Sequence, residues 1–347
     1  MNNQFEYTQA LDTLCFTAEQ KERIAHQAAS AARKIHHRPV RRMVLIAAAV
    51  VTVLAVGTAG ATGVLKSAVD SFSGIFGGDV AQTEIINNIG RPIGASATDN
   101  GVTITADAII GDQYNACIVY SVSRDDGRPL LPDGVPVTAL QLGGFGGSSW
   151  VGGSASGSAY FLDEDTSDNA VQYVETVSSD TPLNKGIAKV DFQNLCYWDE
   201  ASGDTVSVAE GRWQFRFDVN YEDSSVTLGD GETFQQDGMT FTVDEITVSP
   251  VAVRVAYTVD HEVQWSNAPS GREDPEDSLQ MKRYLENVEI LLTKTDGTVI
   301  SLYSAGGSLK PRNGKTICVK SDVLDTLIPT DELESISVGG IVYLIHK

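Results

Sequence analysis

One uncharged apolar segment limits how this chain of 347 residues can fold. Residues 43–65 (MVLIAAAVVTVLAVGTAGATGVL) contain no charged side chain over 23 positions. A helix of that length, with a rise of 1.5 Å per residue, is about 35 Å long and can cross a hydrocarbon core of about 30 Å. A buried globular helix is rarely uncharged for so long, and a signal peptide usually has a shorter apolar core after a shorter leader. We therefore predict one uncleaved transmembrane helix.

The charges on the two sides of this segment predict its orientation. Residues 1–42 carry seven Lys or Arg and four Asp or Glu, and Arg38, Arg41 and Arg42 stand next to the apolar segment. The whole chain has a net charge of −21, so the part after residue 42 carries −24. Because basic residues stay on the cytoplasmic side of the lipid bilayer, we expect a single-pass cell-membrane protein with a cytoplasmic amino terminus and an extracytoplasmic remainder. A chain this acidic is not expected to bind nucleic acid directly.

The predicted cytoplasmic segment, residues 1–42, has helical patterning but is too short to bury a core of its own. Residues 17–20 (TAEQ) have the form of a capping box, which predicts a helix running to about residue 37. The residues before them suggest a second, shorter helix. A partner protein, a second copy or the bilayer surface can cover the apolar side of this pair, and a simple membrane-flanking helix is the alternative. The expected partner-binding residues are Phe5, Leu11, Leu14, Phe16 and Ile24.

Beyond residue 90 the sequence is typical of antiparallel β-structure. Short runs that read as strands, such as residues 102–106, 116–122, 213–219 and 239–243, are separated by turn signals. Asx-Gly pairs supply the positive φ angles of tight hairpin turns. Seven such pairs occur, at residues 100–101, 126–127, 133–134, 230–231, 237–238, 296–297 and 313–314. Short strands with frequent turns predict sandwich-like domains.

An internal repeat predicts how this β-structure is divided. Residues 100–122 align without a gap on residues 237–259, at a shift of 137 positions and with seven identities. The identities include a turn glycine, strand threonines and a strand tyrosine, although a chance alignment is the alternative. We predict a mainly β fold with two tandem antiparallel β-sandwich-like extracytoplasmic domains, residues 91–220 and 221–347. A juxtamembrane linker, residues 66–90 with a short helix near residues 79–88, connects them to the transmembrane helix and the short helical cytoplasmic segment.

The sequence contains no recognisable motif for catalysis, metal binding or cofactor binding. His261 lies between two acids without a nucleophile motif, and Cys117, Cys196 and Cys318 lie in apolar strand contexts typical of buried free thiols. The Gly/Ser-rich residues 142–159 have the composition of a flexible surface loop. The acidic residues 163–168 begin like a calcium loop but lack its later glycine and glutamate. We predict a protein that is not an enzyme and has no catalytic residue, metal site or cofactor.

Several stretches of the sequence carry a resemblance to a known family. They are residues 16–20 (FTAEQ), the Arg-flanked apolar segment, residues 82–92 (QTEIINNIGRP) and residues 102–122. Over about residues 40–130 the chain resembles bacterial single-pass membrane proteins that contain the domain of unknown function DUF4179, which look like membrane-bound anti-sigma factors. The resemblance implies that the cytoplasmic helices bind an extracytoplasmic-function sigma factor and that the outer domains sense an envelope ligand. The alternative is an anchored cell-envelope adhesion or structural module with an inert cytoplasmic segment.

Overall fold

The computed structural model describes residues 66–145, 155–163, 169–183, 185–266, 274–303 and 305–346. The predicted cytoplasmic segment of residues 1–42 and the predicted transmembrane helix of residues 43–65 lie outside these described residues. Residues 65–347 group into one compact unit. Within the described ranges, every helix is too short or too polar to span a bilayer.

Two short helices, α1 (Ala68–Phe76) and α2 (Val80–Ile89), begin the described chain in the segment predicted to be a linker. A capping box starts α1: the Ser67 hydroxyl accepts the Asp70 amide at 3.0 Å, and the Asp70 carboxylate accepts the Ser67 amide. The Asp79 side chain starts α2 by accepting the Gln82 amide at 2.9 Å. These caps satisfy amide groups that the first helical turn leaves free. The predicted helix near residues 79–88 is thus confirmed, whereas α1 was not predicted.

The first half of the described β-structure forms two antiparallel sheets around one core. Five strands pair in the order β1-β2-β3-β6-β5 and three in the order β4-β7-β8. Side chains from both sheets fill the core, in which Trp213, Tyr120 and Phe192 are fully buried. The strands are β1 (Arg91–Asp99), β2 (Val102–Gly111), β3 (Asn115–Arg124), β4 (Leu140–Phe145), β5 (Ala155–Leu162), β6 (Ala170–Ser179), β7 (Ile187–Asp199) and β8 (Asp204–Asp218).

The second half repeats this arrangement around its own core. One sheet has the order β10-β11-β12-β16-β15, with β9 also paired to β11, and the other has the order β14-β13-β17-β18. A helix, α3 (Pro275–Met281), continues as a π turn, Lys282–Glu286, that packs on the core. The strands are β9 (Val226–Leu228), β10 (Thr233–Gln236), β11 (Met239–Val248), β12 (Ala252–Val259), β13 (Ile290–Lys294), β14 (Val299–Ser301), β15 (Gly306–Arg312), β16 (Lys315–Val323), β17 (Leu333–Val338) and β18 (Ile341–Leu344).

The two copies of the sequence repeat occupy equivalent places in the two halves, as the hairpins β2–β3 and β11–β12. Each hairpin has a register shift at its matched aspartate, Asp107 or Asp244, which is the mark of a β-bulge. The Ser121 hydroxyl donates a hydrogen bond to Asp107, and the Thr258 hydroxyl, at the matched position, donates to Asp244 at 2.7 Å. Both copies of the repeat therefore have an aspartate here for a structural reason, since in each copy it accepts a hydrogen bond from a hydroxyl group of the neighbouring strand.

The prediction of a flexible surface loop over the Gly/Ser-rich residues 142–159 is wrong at both ends of this segment. Residues up to Phe145 belong to β4, residues from Ala155 belong to β5, and residues 146–154 lie outside the described chain. Glycine allows close strand contact here, because a Cβ atom added at Gly157 would lie 2.2 Å from the Thr176 carbonyl oxygen. The predicted mainly β fold, built from antiparallel sheets, is confirmed.

Candidate functional site

Helices α1 and α2 share a third apolar core with both β halves, which we call the junction core. The apolar positions of α1 recur every four residues and those of α2 every three or four, so each helix turns one face inward. Phe72 and Ile86 are fully buried there. The junction core comprises Ala68, Phe72, Phe76, Ile85, Ile86 and Ile89 from the helices, Ala108, Ile110, Cys117, Val119 and Val174 from the first half, and Val251, Ala252 and Leu327 from the second half.

A buried glutamine of α2 binds the backbone of the second half. The Gln82 side-chain amide nitrogen donates to the Leu327 carbonyl at 2.7 Å, and the Gln82 side-chain oxygen accepts the Leu327 amide at 3.0 Å. Both bonds are buried, and they join residues 245 positions apart in the chain. Paired buried hydrogen bonds fix a contact geometrically, because breaking either one leaves an unsatisfied polar group.

A buried carboxylate links the two copies of the repeat directly. Asp112, in the turn between β2 and β3, is 1% exposed and accepts bonds from the amides of Tyr114 at 2.8 Å and Asn115 at 2.7 Å. The Ser249 hydroxyl also donates to Asp112, at 2.6 Å. Burial raises the pKa of Asp112, and these hydrogen bonds oppose the rise. Residues 112 and 249 are equivalent positions of the repeat, because they differ by the shift of 137. Equivalent positions therefore contact each other, as they do in an isologous interface between two subunits.

A second polar cluster joins β12 to the first half. The Arg254 guanidinium is buried, binds the Glu245 carboxylate at 2.8 Å and lies 3.8 Å from the centre of the Tyr114 ring. The Tyr114 hydroxyl donates to the same Glu245 carboxylate at 2.8 Å. Burial, and then the bond to Glu245, raises the pKa of Tyr114 to about 12, so this phenol stays a hydrogen-bond donor at neutral pH.

Lys66, the residue that follows the predicted transmembrane helix, is bound to the first half. Its ammonium nitrogen lies 3.1 Å from the Ser121 hydroxyl and 3.9 Å from the Asp107 carboxylate. Asp107 is buried, and burial raises its pKa, while the hydrogen bond from Ser121 and then the charge of Lys66 lower it. The matched Asp244 of the second half is exposed. The bulge of β2 therefore differs from its copy in being covered, because α1 packs against β2.

The residues predicted from the sequence to bind a partner, Phe5, Leu11, Leu14, Phe16 and Ile24, lie outside the described chain. The orienting arginines, Arg38, Arg41 and Arg42, lie outside it as well. Cys117 and Cys318 are buried free thiols, as predicted, and Cys196 is a partly buried free thiol. His261 is exposed, and its ring nitrogen lies 2.6 Å from the Asp260 carboxylate. Within the described ranges, no three His, Cys, Asp or Glu side chains are grouped so as to hold a metal ion.

The junction was missed in the sequence because its polar residues come from distant positions. One available signal was the repeat itself: Asp112 and Arg254 are charged where the matched positions hold the uncharged Ser249 and Cys117. A charged residue in only one copy of an otherwise apolar repeat indicates a contact that the other copy does not make. The strand pattern alone does not say what lies opposite.

Comparisons with known proteins match the amino-terminal part of the chain to one family. Residues 36–124 match the family described as "Domain of unknown function (DUF4179)", a stretch that includes α1, α2 and β1 to β3. The resemblance stated for about residues 40–130 is confirmed to that extent. No curated protein matches the chain. A solved structure from Bacillus anthracis, titled "The crystal structure of the conserved domain protein", shares 14% identity with this chain, covers 71% of it and 75% of its own length, and has a TM-score of 0.42. A likeness this remote supports no functional argument.

Proposed function

We propose that this chain is a membrane-anchored regulator of the anti-sigma type. The cytoplasmic helices would bind an extracytoplasmic-function sigma factor, and two tandem β-sandwich-like extracytoplasmic domains would sense the cell envelope. The DUF4179 match over residues 36–124, the uncharged segment and the basic charge before it support this proposal. In each β half, two sheets share one core, which agrees with two sandwich-like domains.

The observation that carries the proposal is that the residues directly after the predicted transmembrane helix contact both β halves. Lys66 and α1 are bound to the first half, while α2 binds the second half through Gln82 and Leu327. Any change in how the two halves contact each other therefore changes the surroundings of the residues next to the predicted transmembrane helix. A ligand that binds one such arrangement better than another would shift their populations, which is the physical requirement for a sensor.

The first test asks whether residues 1–42 bind a sigma factor. These residues serve as bait in a pull-down from a lysate of the source bacterium, with mass spectrometry of the captured proteins. We expect recovery of a sigma factor that is lost in the double variant Leu11→Asp with Ile24→Asp. Thr13→Asp with His26→Asp adds the same charges at positions that the sequence pattern predicts to lie away from the apolar side, and is expected to retain binding. Recovery of no sigma factor, or equal recovery by both double variants, contradicts the proposal.

The second test asks whether the bulge at Asp107 participates in signalling. Asp107→Asn weakens the contact with Lys66 and is expected to change the output of a sigma-dependent reporter in cells. Asp244→Asn is the matched control, because it makes the same substitution on the exposed bulge of the second half. Equal reporter output from the two variants would show that this bulge does not transmit a signal.

A deletion of residues 2–35 separates a regulator from an anchored adhesion module. A regulator without its cytoplasmic helices is expected to derepress a set of transcripts. An adhesion or structural module with an inert cytoplasmic segment would leave the transcripts unchanged and keep its envelope function.

A further inference from the structure

A cavity of about 300 Å³ lies between β4 and β5, the edge strands of the two sheets of the first half. Its lining includes Leu140 and Leu142 on β4, and Phe161 and Tyr173, whose aromatic side chains are on the same face of β5 and β6. That volume suits a small molecule. The cavity is separate from the junction core, which lies on the opposite face of the β6 sheet.

The aromatic wall of the cavity is rigidly supported. The Phe161 and Tyr173 rings are 4.8 Å apart between centroids, and Tyr173 meets Phe192 edge to face at 5.5 Å. Behind them, Tyr120 meets Phe192 edge to face at 5.2 Å. Rings packed in this way have little freedom to turn, and the face of an aromatic ring attracts a cation placed over it.

A carboxylate adjoins two residues of the cavity lining, and no cation of the described residues is paired with it. Glu175 is two residues from Tyr173 on β6, so both side chains are on the same face of the sheet, and it pairs in register with Ala159 of the cavity lining. The Tyr120 hydroxyl donates to Glu175 at 3.1 Å. Among the described residues, no Lys, Arg or His lies within ion-pair distance of this carboxylate. Burial raises the pKa of Glu175 to about 7, and the hydrogen bond from Tyr120 opposes this rise only in part.

In the second half, the position equivalent to Glu175 also holds a charged residue, and that residue has hydrogen-bond partners. Glu175 pairs with Ile118 on β3, and Lys320 pairs with Val255 on β12, so the repeat shift of 137 makes Glu175 and Lys320 equivalent. The buried Lys320 ammonium donates to two backbone carbonyls of the segment that follows α3, at 3.0 and 3.1 Å. The protein itself thus compensates the charged group in the second half.

The same comparison explains why the first half has a cavity. Ala159, opposite Glu175, corresponds to Gly307, opposite Lys320. Leu285 of the π turn packs there, since a Cβ atom added at Gly307 would lie 3.2 Å from each of its methyl carbons. In the first half, the segment before β4 contributes only a short 3₁₀ turn, Val137–Ala139, in place of α3 and its π turn. The space that Leu285 fills in one half is left open in the other.

We propose that this cavity binds a small organic ammonium ion, with its charge paired to Glu175 and its body against the rings of Phe161 and Tyr173. The ligand would supply the counter-charge and the apolar filling that the π turn and its carbonyls supply at Lys320. This binding is a property of the first half and does not depend on the proposed regulatory role.

Choline and its neutral isostere 3,3-dimethylbutan-1-ol test the proposal, because they share a shape and differ by one charge. Each is titrated into the purified full-length chain by calorimetry at about pH 8, where Glu175 is ionised. We expect choline to bind at least about tenfold more tightly, the factor that a cation over aromatic rings near a carboxylate contributes. Equal affinity for the two molecules, or no saturable binding of choline, overturns the proposal without reference to any variant.

Two variants then locate the site. Glu175→Gln keeps an oxygen for the Tyr120 hydroxyl and is expected to lower choline affinity about tenfold while leaving the affinity for the alcohol unchanged. Glu200→Gln removes an exposed carboxylate of the same half and is expected to bind choline as the unaltered chain does. Choline binding that survives Glu175→Gln would place the ammonium site elsewhere and overturn the assignment.

Discussion

Replacing Glu175 by glutamine is expected to stabilise the protein at high pH and to leave its stability unchanged at low pH. Burial raises the pKa of this carboxyl group from 4.5 to about 7 in the folded chain. At pH values well below 4.5 the group is protonated in both the folded and the unfolded states. As the pH rises, the unfolded chain releases the proton first, so the folded state loses stability until the pH passes about 7.

The size of the effect follows from the difference between the two pKa values. Each unit corresponds to about 1.4 kcal/mol, so a shift from 4.5 to about 7 removes about 3 kcal/mol of folding free energy once Glu175 is ionised. Glutamine has no charge to desolvate and still offers an oxygen to the Tyr120 hydroxyl. The variant should therefore be about 3 kcal/mol more stable than the parent at about pH 8, and within about 0.5 kcal/mol of it at about pH 4.5.

The assay is urea denaturation of the purified full-length chain across this pH range, followed by tryptophan fluorescence. Trp213 is fully buried in the first core and reports unfolding of the half that contains Glu175. Other titrating groups act on parent and variant alike, so the difference between the two curves isolates this residue. Glu200→Gln serves as the exposed control. A variant that is less stable at about pH 8, or a difference that does not change with pH, would refute the reasoning.

Three further predictions concern packing and the junction. Phe72→Ala empties a fully buried position of the junction core and should cost about 3–5 kcal/mol in the same assay. Gly157→Ala should cost about 1–3 kcal/mol, because a Cβ atom has no room between paired strands, whereas Gly186→Ala, with nothing within 4 Å, should change stability by less than about 0.5 kcal/mol. A double-mutant cycle of Asp112→Asn and Ser249→Ala should give a coupling energy of about 1–2 kcal/mol, and additivity of the two single variants would show that their hydrogen bond does not join the halves.

The β-structure was predictable because its signals are local. All seven Asx-Gly glycines adopt positive φ angles, and Asn100, Asp237 and Asn313 adopt them too, as tight hairpin turns require. The repeated tyrosines Tyr120 and Tyr257 are both fully buried on matched strands. Turn type and strand alternation depend on neighbouring residues, so a single sequence carries them.

The proposed site and the junction were not predictable, because each is made by residues that are far apart in the chain. Read along β6 and β16, Glu175 and Lys320 are ordinary polar residues of half-buried strands. Only the strand pairing shows that they are equivalent. Only the packing shows that Lys320 has carbonyl partners, whereas Glu175 pairs with Ala159 at the edge of a cavity. The small residues of β4 and β5 misled the loop prediction, because composition does not reveal that a glycine is used for close strand contact.

The sequence by itself determined the turns, the antiparallel strands, the repeat and the DUF4179 resemblance, along with predictions for residues 1–65 that await experiment. The tertiary structure decided that α1 and α2 pack against both halves and that Asp112 binds its counterpart Ser249. It also decided that Glu175, unlike its counterpart Lys320, is bound by a single hydroxyl group and by no cation among the described residues. The physical reason is the range of the interactions. Backbone preferences act over a few residues, whereas burial and charge compensation depend on which distant segments meet, as Gln82 and Leu327 do.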